Sequence, residues 1–279
     1  KSKSNSIDIN DVKTMSYWVQ DQLFVGENLV VLAGLRLDDH DEFGSKTTYR
    51  VAPSYSIEQT GTILKASYGT GFRSPSLYEL YSSYGNPNLN AEKSKGWDSG
   101  FEQKIANNKI NFGATYFNMV YNNRIDFDLA TWKYDQVSGD TKTDGVEAFI
   151  GWKPVAGLKF LLNYTYTDTQ DPDGKRLVRR PFNKFLFNTG YCFLEKWKIN
   201  LDIYWVDDRK ASEYAKDGAG NLVDTLDSYT LVNVSASYDI NDHFQVYGRV
   251  DNLFDEYYEE AWSYAKPGLS GYAGVKVRF

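Results

Sequence analysis

Four acidic side chains crowd one short stretch: Asp38, Asp39, Asp41 and Glu42. Hard oxygen ligands at this spacing suit Ca²⁺, but the fixed glycine and bidentate glutamate of a calcium hand are not in place. The stretch reads first as a solvated acidic loop, with metal binding by Asp38, Asp39, Asp41 and Glu42 as the lesser alternative. Two histidines, His40 and His243, and one cysteine, Cys192, leave too little for a thiolate or imidazole metal centre, a disulfide scaffold or a catalytic dyad. His40 is expected in a loop and His243 in a turn, both solvated; Cys192 reads as a small side chain in mid-strand. There is no Gly-x-Ser-x-Gly elbow, phosphate loop or zinc-binding helix motif, so no catalytic residue and no cofactor are expected. Aromatic rings between the regular elements, at Tyr78, Tyr81, Tyr84, Trp132, Tyr134, Tyr214, Trp262 and Tyr264, could stack on a large ligand; ordinary loop packing is the competing use of each.

These residues need positioning elements, and the periodicity says which. Leu158, Phe160, Leu162, Tyr164 and Tyr166 alternate with Lys159, Leu161, Asn163, Thr165 and Thr167. Ile199, Leu201, Ile203 and Trp205 alternate with Asn200, Asp202, Tyr204 and Val206; Val232, Val234, Ala236, Tyr238 and Ile240 alternate with Leu231, Asn233, Ser235, Ser237 and Asp239. Period two over about ten residues marks a strand with one apolar and one polar face. Helical spacing occurs nowhere at comparable length. The same criterion predicts about thirteen strands, near 14–25, 29–38, 47–57, 62–71, 94–105, 109–122, 143–153, 158–168, 182–193, 198–208, 228–240, 244–254 and 271–279.

The connections alternate short and long. Short turns fall at 26–28, 58–61, 106–108, 154–157, 194–197 and 241–243, and long segments at 39–46, 72–93, 123–142, 169–181, 209–227 and 255–270. Antiparallel neighbours joined this way place every tight turn at one end of the sheet. The apolar sides carry Phe, Leu, Ile, Val and Tyr, the opposite sides Lys, Asn, Asp and Ser. Aromatics at Trp152, Tyr164, Tyr166, Trp205 and Tyr238 gather near strand ends, as in interfacial girdles. The fold expected is all-β, an antiparallel transmembrane β-barrel with its apolar face in lipid and its polar face lining a wet lumen.

Composition agrees. Net charge is −6 and there are 45 aromatic residues, from 22 Tyr, 16 Phe and 7 Trp. An acidic chain argues against nonspecific nucleic-acid binding. The chain is hydrophilic on average, and no run of about eighteen apolar residues could form a transmembrane helix. Neither fact bears on a barrel, whose strands average the two faces. An odd strand count is uncommon for a single-chain barrel, and an open sheet would leave two unpaired edges, which lipid does not tolerate, so 1–279 is expected to be part of a larger barrel. The segment Lys1–Asp11 is polar, has the character of the end of a long loop, and is followed by no signal-peptide core.

The stretch 68–81 places Gly71, Phe72, Arg73, Pro75, Leu77, Tyr78, Glu79 and Tyr81 after a predicted strand; Asn86, Pro87, Asn88, Leu89, Glu92, Lys93 and Ser94 follow. Together they resemble the barrel of TonB-dependent outer-membrane receptors, most closely the vitamin B12 (cobalamin) receptor branch. Ala91 stands where that family usually has Pro. Further likenesses are Gly145-Val-Glu147, expected at a strand start, Arg179-Arg-Pro181, and Asn252, Leu253, Phe254 and Asp255 ahead of Tyr258. The terminal aromatic Phe279 resembles the family's signal to the barrel-assembly machinery. The resemblance implies the last thirteen or so of about twenty-two strands. It also implies an outer membrane of a Gram-negative bacterium, contact with TonB through an N-terminal region, and uptake of a scarce large nutrient. Cobalamin is favoured; ferric siderophores and haem are the alternatives. No plug domain, TonB box or calcium-binding loops of that family stand in this sequence.

Within the motif, Pro75 and Pro87 belong in loops because they lack a donor. Gly69, Gly71 and Gly85 are expected to supply unusual backbone angles, and Asn86 and Asn88 to cap turns. Asn252 and Asp255 are expected to make polar contacts at a rim, and Arg179 and Arg180 to form a solvated pair or grip lipid anions. The whole motif is expected to fix loop structure. A passive channel and, more remotely, an outer-membrane barrel enzyme are the readings from other classes.

Overall fold

The computed structural model describes residues 12–212 and 214–279; the polar segment Lys1–Asp11 lies outside the described residues. Thirteen strands form one antiparallel sheet. They are β1 (Thr14–Val25), β2 (Leu29–His40), β3 (Gly44–Ile57), β4 (Thr62–Arg73), β5 (Glu92–Ile105), β6 (Ile110–Asn122), β9 (Asp140–Trp152), β10 (Leu158–Gln170), β11 (Asn183–Phe193), β12 (Trp197–Val206), β15 (Tyr229–Asp239), β16 (Phe244–Asp251) and β19 (Ser270–Val277), each paired with the next. The long connections carry their own structure: helix α1 (Leu77–Tyr81) and three small hairpins, β7 (Ile125–Asp128) with β8 (Lys133–Gln136), β13 (Arg209–Lys210) with β14 (Thr225–Leu226), and β17 (Glu259–Ala261) with β18 (Tyr264–Ala265).

All thirteen predicted strands are present, and the register sorts them into two faces. One row across eight strands reads Leu64, Phe101, Ala114, Ala148, Tyr164, Phe185, Trp205 and Thr230. The row one residue along reads Lys65, Gly100, Thr115, Glu147, Thr165, Lys184, Val206 and Tyr229. Successive strand residues point to opposite faces, so this offset is the whole difference between an apolar and a polar surface. On the apolar face rings pack ring to ring. Tyr164 and Phe185 lie 4.7 Å apart, Phe185 and Trp205 5.6 Å, and Trp197 and Tyr238 4.5 Å. On the polar face side chains bond across strands: Lys65 to Glu102, Ser67 to Asp98, Lys198 to Asp239 at 3.1 Å, and Gln245 to Asp239 at 2.7 Å.

Among the described residues nothing apolar covers the apolar face. Phe160, Leu162, Ile203 and Val234 are not buried, and Leu162 is 38 % exposed. The chain presents 18141 Å² to solvent, against roughly 12,200 Å² for a compact soluble monomer of this mass. The buried apolar clusters among the described residues are small and lie in the long connections: Leu80, Leu89 and Ile125 in one, Ala211, Ala215 and Leu226 in the other. A sheet this wide with no core beneath it is stable only in a solvent that accepts its apolar side.

Several expectations need correction. The connection 39–46 is a tight turn at 41–43, because β2 and β3 run on to His40 and Gly44. His40 is therefore not a solvated loop residue: it is 8 % exposed, packs edge-on to Phe43 at 5.0 Å, and accepts from the Glu42 and Phe43 amides at Nδ1. Gly145-Val-Glu147 lies within β9, not at its start. Gly69, Gly71 and Gly85 do not have positive φ. Their use is space: a Cβ at Gly85 would stand 2.5 Å from the Leu80 carbonyl oxygen, and one at Gly71 2.8 Å from the Ser94 hydroxyl.

Candidate functional site

The motif segment folds as a rivet at the long-connection end. Pro75 restricts the chain just ahead of α1, and Ser76 caps it. The Ser76 hydroxyl accepts from the Glu79 amide at 3.2 Å, while the Glu79 carboxylate accepts from the Ser76 amide at 2.7 Å, a complete capping box. Glu79 also takes Arg73 Nη1 at 2.9 Å. Arg73 Nε donates to Glu92 at 2.6 Å, and the second Glu92 oxygen takes the Ile125 amide, also at 2.6 Å. One guanidinium thus ties the end of β4, helix α1, the start of β5 and hairpin β7–β8. Burial raises the Glu79 pKa, but the bonds from Arg73 and Ser76 outweigh it and hold the carboxyl below its usual range.

The remaining motif residues serve this arrangement. Gly71 pairs with Ser94 and Phe72 with Lys93 across β4 and β5. Leu77 opens α1, and Leu89 lies in the buried cluster with Leu80. Asn86 Oδ1 accepts from the Asn88 amide at 3.0 Å, closing the turn around Pro87. At the far side of the sheet Asn252, 5 % exposed, accepts from the Glu256 amide and donates to the Glu256 carbonyl, both at 2.8 Å. Asp255 accepts from the Leu269 amide at 2.7 Å. Leu253 and Phe254 between them are exposed. Phe279 lies beyond β19 and is fully exposed.

The aromatic candidates fall into two groups. Tyr84, Trp132 and Tyr134 surround Phe127, at 5.9, 6.2 and 5.1 Å between ring centres, and Tyr78 meets Tyr134 at 6.1 Å. Tyr81 packs on the Leu80 cluster and donates its hydroxyl to Glu42 at 2.9 Å. Trp262 packs on the Ala211 cluster and donates to the Lys216 carbonyl at 3.0 Å, while Tyr214 and Tyr264 are exposed. Phe127, the centre of the first group, has no mark in the sequence; only the hairpin places it.

The four acidic residues do not converge. Asp38 and Asp39 point to opposite faces of β2. Asp38 is held by Arg36 at 2.7 Å and by Ser16 at 2.5 Å, and Asp39 by Ser45 at 2.7 Å. Asp41 takes the Lys13 amide and Glu42 takes Tyr81. Among the described residues no group of three or more His, Cys, Asp or Glu is arranged to hold a metal ion.

Between the two aromatic groups a cleft of about 690 Å³ opens among 124–137, 171–180, Lys210, Ser212 and Tyr214. Arg209, which sequence reasoning did not single out, is 3 % exposed beside it. It donates to the Asp207, Asp227 and Glu259 carbonyls and lies over the Tyr229 ring, tying two long connections together.

A two-faced antiparallel sheet with tight turns at one end and structured, cleft-bearing loops at the other has the pattern of the wall of an outer-membrane β-barrel. The description "TonB dependent receptor-like, beta-barrel" matches residues 2–253. The chain belongs to the TonB-dependent receptor family, a family of transport receptors, not enzymes, of the Gram-negative outer membrane. It is 33 % identical over 88 % of its length to the vitamin B12 transporter BtuB of Vibrio cholerae, and 30 % identical over 95 % to that of Photobacterium profundum. Among solved structures, the ferric enterobactin receptor PfeA of Pseudomonas aeruginosa superposes with a TM-score of 0.82 at 20 % identity, covering 95 % of this chain and 45 % of that one. The siderophore receptor PirA of Acinetobacter baumannii gives 0.80 at 20 % identity, covering 96 % of this chain and 46 % of that one. The chain spans 39 % and 42 % of the two transporters' lengths.

Proposed function

We propose that residues 1–279 form the C-terminal part of the barrel of an outer-membrane receptor that takes up a large scarce nutrient, cobalamin being favoured. The observation that carries this reading is the uncovered apolar face, together with membership of the family. In this reading the apolar face meets lipid, the polar face lines the lumen, and the structured connections capture cargo at the outer surface. A segment beyond this chain engages TonB, and Phe279 is read by the assembly machinery. Cobalamin is favoured because the relatives at 30 % and 33 % identity are named as vitamin B12 transporters, whereas the siderophore receptors resemble this chain at 20 %.

Fractionation of the full-length gene product tests the membrane assignment. It is expected in the outer membrane, migrating faster on gels before boiling than after; recovery as a soluble protein overturns the proposal. Binding of cobalamin against ferric siderophores and haem then decides the cargo. Conductance in planar bilayers tests the passive-channel reading, since a plugged receptor passes little current.

A further inference from the structure

The connections at the loop end of the sheet, the tight turn 41–43 and the long segments 74–91, 123–139, 171–182, 207–228 and 252–269, hold 18 Asp and Glu against 10 Lys and Arg. Five of the six are net negative; 171–182 alone is net positive, with Lys175, Arg176, Arg179 and Arg180 against Asp171 and Asp173. Two of its arginines, Arg176 and Arg180, line the 690 Å³ cleft. The Arg176 guanidinium lies over Phe182, its Cζ 3.3 Å from the ring centre, and one Nη2 donor reaches the Arg180 carbonyl at 2.5 Å. Its Nε–H is buried with no partner among the described residues. Neither Arg176 nor Arg180 joins an ion pair among the described residues.

Five carboxylates line the cleft, and each has a local partner. Asp126 pairs with Arg124 at 2.8 Å, Asp128 takes the Ala130 amide and Thr131 hydroxyl at 2.8 Å, Asp135 takes the Gln136 amide at 2.8 Å, Asp171 takes the Asp173 and Lys175 amides, and the exposed Asp173 meets Lys175 at 3.8 Å. A fixed guanidinium with a spare donor, in the one basic connection of an acidic rim, is a fork for a planar or tetrahedral oxyanion. Burial lowers the Arg176 pKa, with Asp208 and Asp207 opposing, but an arginine stays charged at any physiological pH.

We propose that this cleft is a subsite for a single phosphate-type oxyanion of the cargo, gripped by Arg176 and Arg180. The proposal rests on the receptor reading above and adds to it a chemical group that the cargo must carry. The acidic connections around the cleft disfavour polyanions, so the subsite selects cargo with one such group on a neutral or cationic body.

Cobalamin and cobinamide separate the possibilities, because the first carries a phosphodiester that the second lacks. In the full-length receptor, Arg176→Met and Arg180→Met are expected to weaken cobalamin binding by about tenfold or more and to change cobinamide binding by less than about twofold. Arg176→Lys, which keeps the charge and loses the fork, is expected to fall between. Equal losses for both corrinoids, or no loss for either, overturn the proposal, the first because the arginines then only hold the loop. Inorganic phosphate reads the subsite without the cargo: the ³¹P line of free phosphate is expected to broaden with the unsubstituted receptor and not with Arg176→Met. If the receptor binds neither corrinoid, the cobalamin reading fails while the phosphate line still decides the subsite; an unbroadened line overturns it. Lipopolysaccharide phosphate is the other source of this chemistry. If nanodiscs containing lipopolysaccharide abolish the phosphate effect and phosphatidylcholine nanodiscs do not, the group belongs to lipid and the cargo assignment is overturned.

Discussion

Arg73 makes charge-assisted bonds to two carboxylates that come from different elements, Glu79 and Glu92. Replacing it by Met leaves both acceptors short of donors, with an expected local cost of about 1–3 kcal/mol. Amide exchange over 76–92 is expected to quicken while β6 and β9 stay protected. The Glu79 carboxyl titrates below its usual range in the folded state. Its stabilisation is therefore fully present above about pH 4.3, the unfolded glutamate value, and is lost as pH falls through the lower folded value. Protection of the Leu80 and Asn86 amides, taken relative to the intrinsic exchange rate at each pH, is expected to be flat from pH 7 to 5 and to fall only in stronger acid, with Glu79→Gln removing that change in protection. At Gly85 the constraint is space. Gly85→Ala forces a methyl to 2.5 Å from the Leu80 carbonyl oxygen, and loss of α1 protection is expected. That the prolines and asparagines of the motif lie in loops was legible from their types; that Arg73 bonds both Glu79 and Glu92 was not, since nothing in the spacing says that positions 73, 79 and 92 meet.

Hairpin β7–β8 supplies Ile125 to the buried cluster and Phe127 to the aromatic group. Replacing 125–136 by a glycine-serine linker is expected to expose Leu80 and Leu89 and free α1, leaving the thirteen-strand sheet intact; exchange mapping checks both halves. The two faces of each strand give a sharper contrast. Leu162→Arg puts a charge on the apolar face and is expected to cost about 2–4 kcal/mol if that position lies near mid-membrane, whereas Asn163→Arg, one residue on, is expected to cost little. Urea unfolding in detergent or bilayer measures both, and equal costs would remove the case for a lipid-facing side. Period two made the long strands readable. The small hairpins were not, because elements of two to four residues are too short for a period to register.

At the scale of the molecule, stability resides in the ladder and not in a core. Strand pairing runs unbroken from β1 to β19, and the buried apolar clusters sit in the loops. Unfolding in membrane-mimetic solvent is accordingly expected to follow strand pairing, with the loop clusters opening first, which exchange across a denaturant series would show. The amino-acid order alone determined the strands, their turns and the division into two faces, because a strand's side chains alternate by local geometry. It also determined the family, through motifs that occupy contiguous positions. Only the tertiary structure decided which charges pair, where the acidic residues of β2 point, and that Arg176, Arg180 and the hairpin at 125–136 surround one cleft. Those are contacts between residues tens of positions apart, and sheet register and loop folding, not local preference, bring them together.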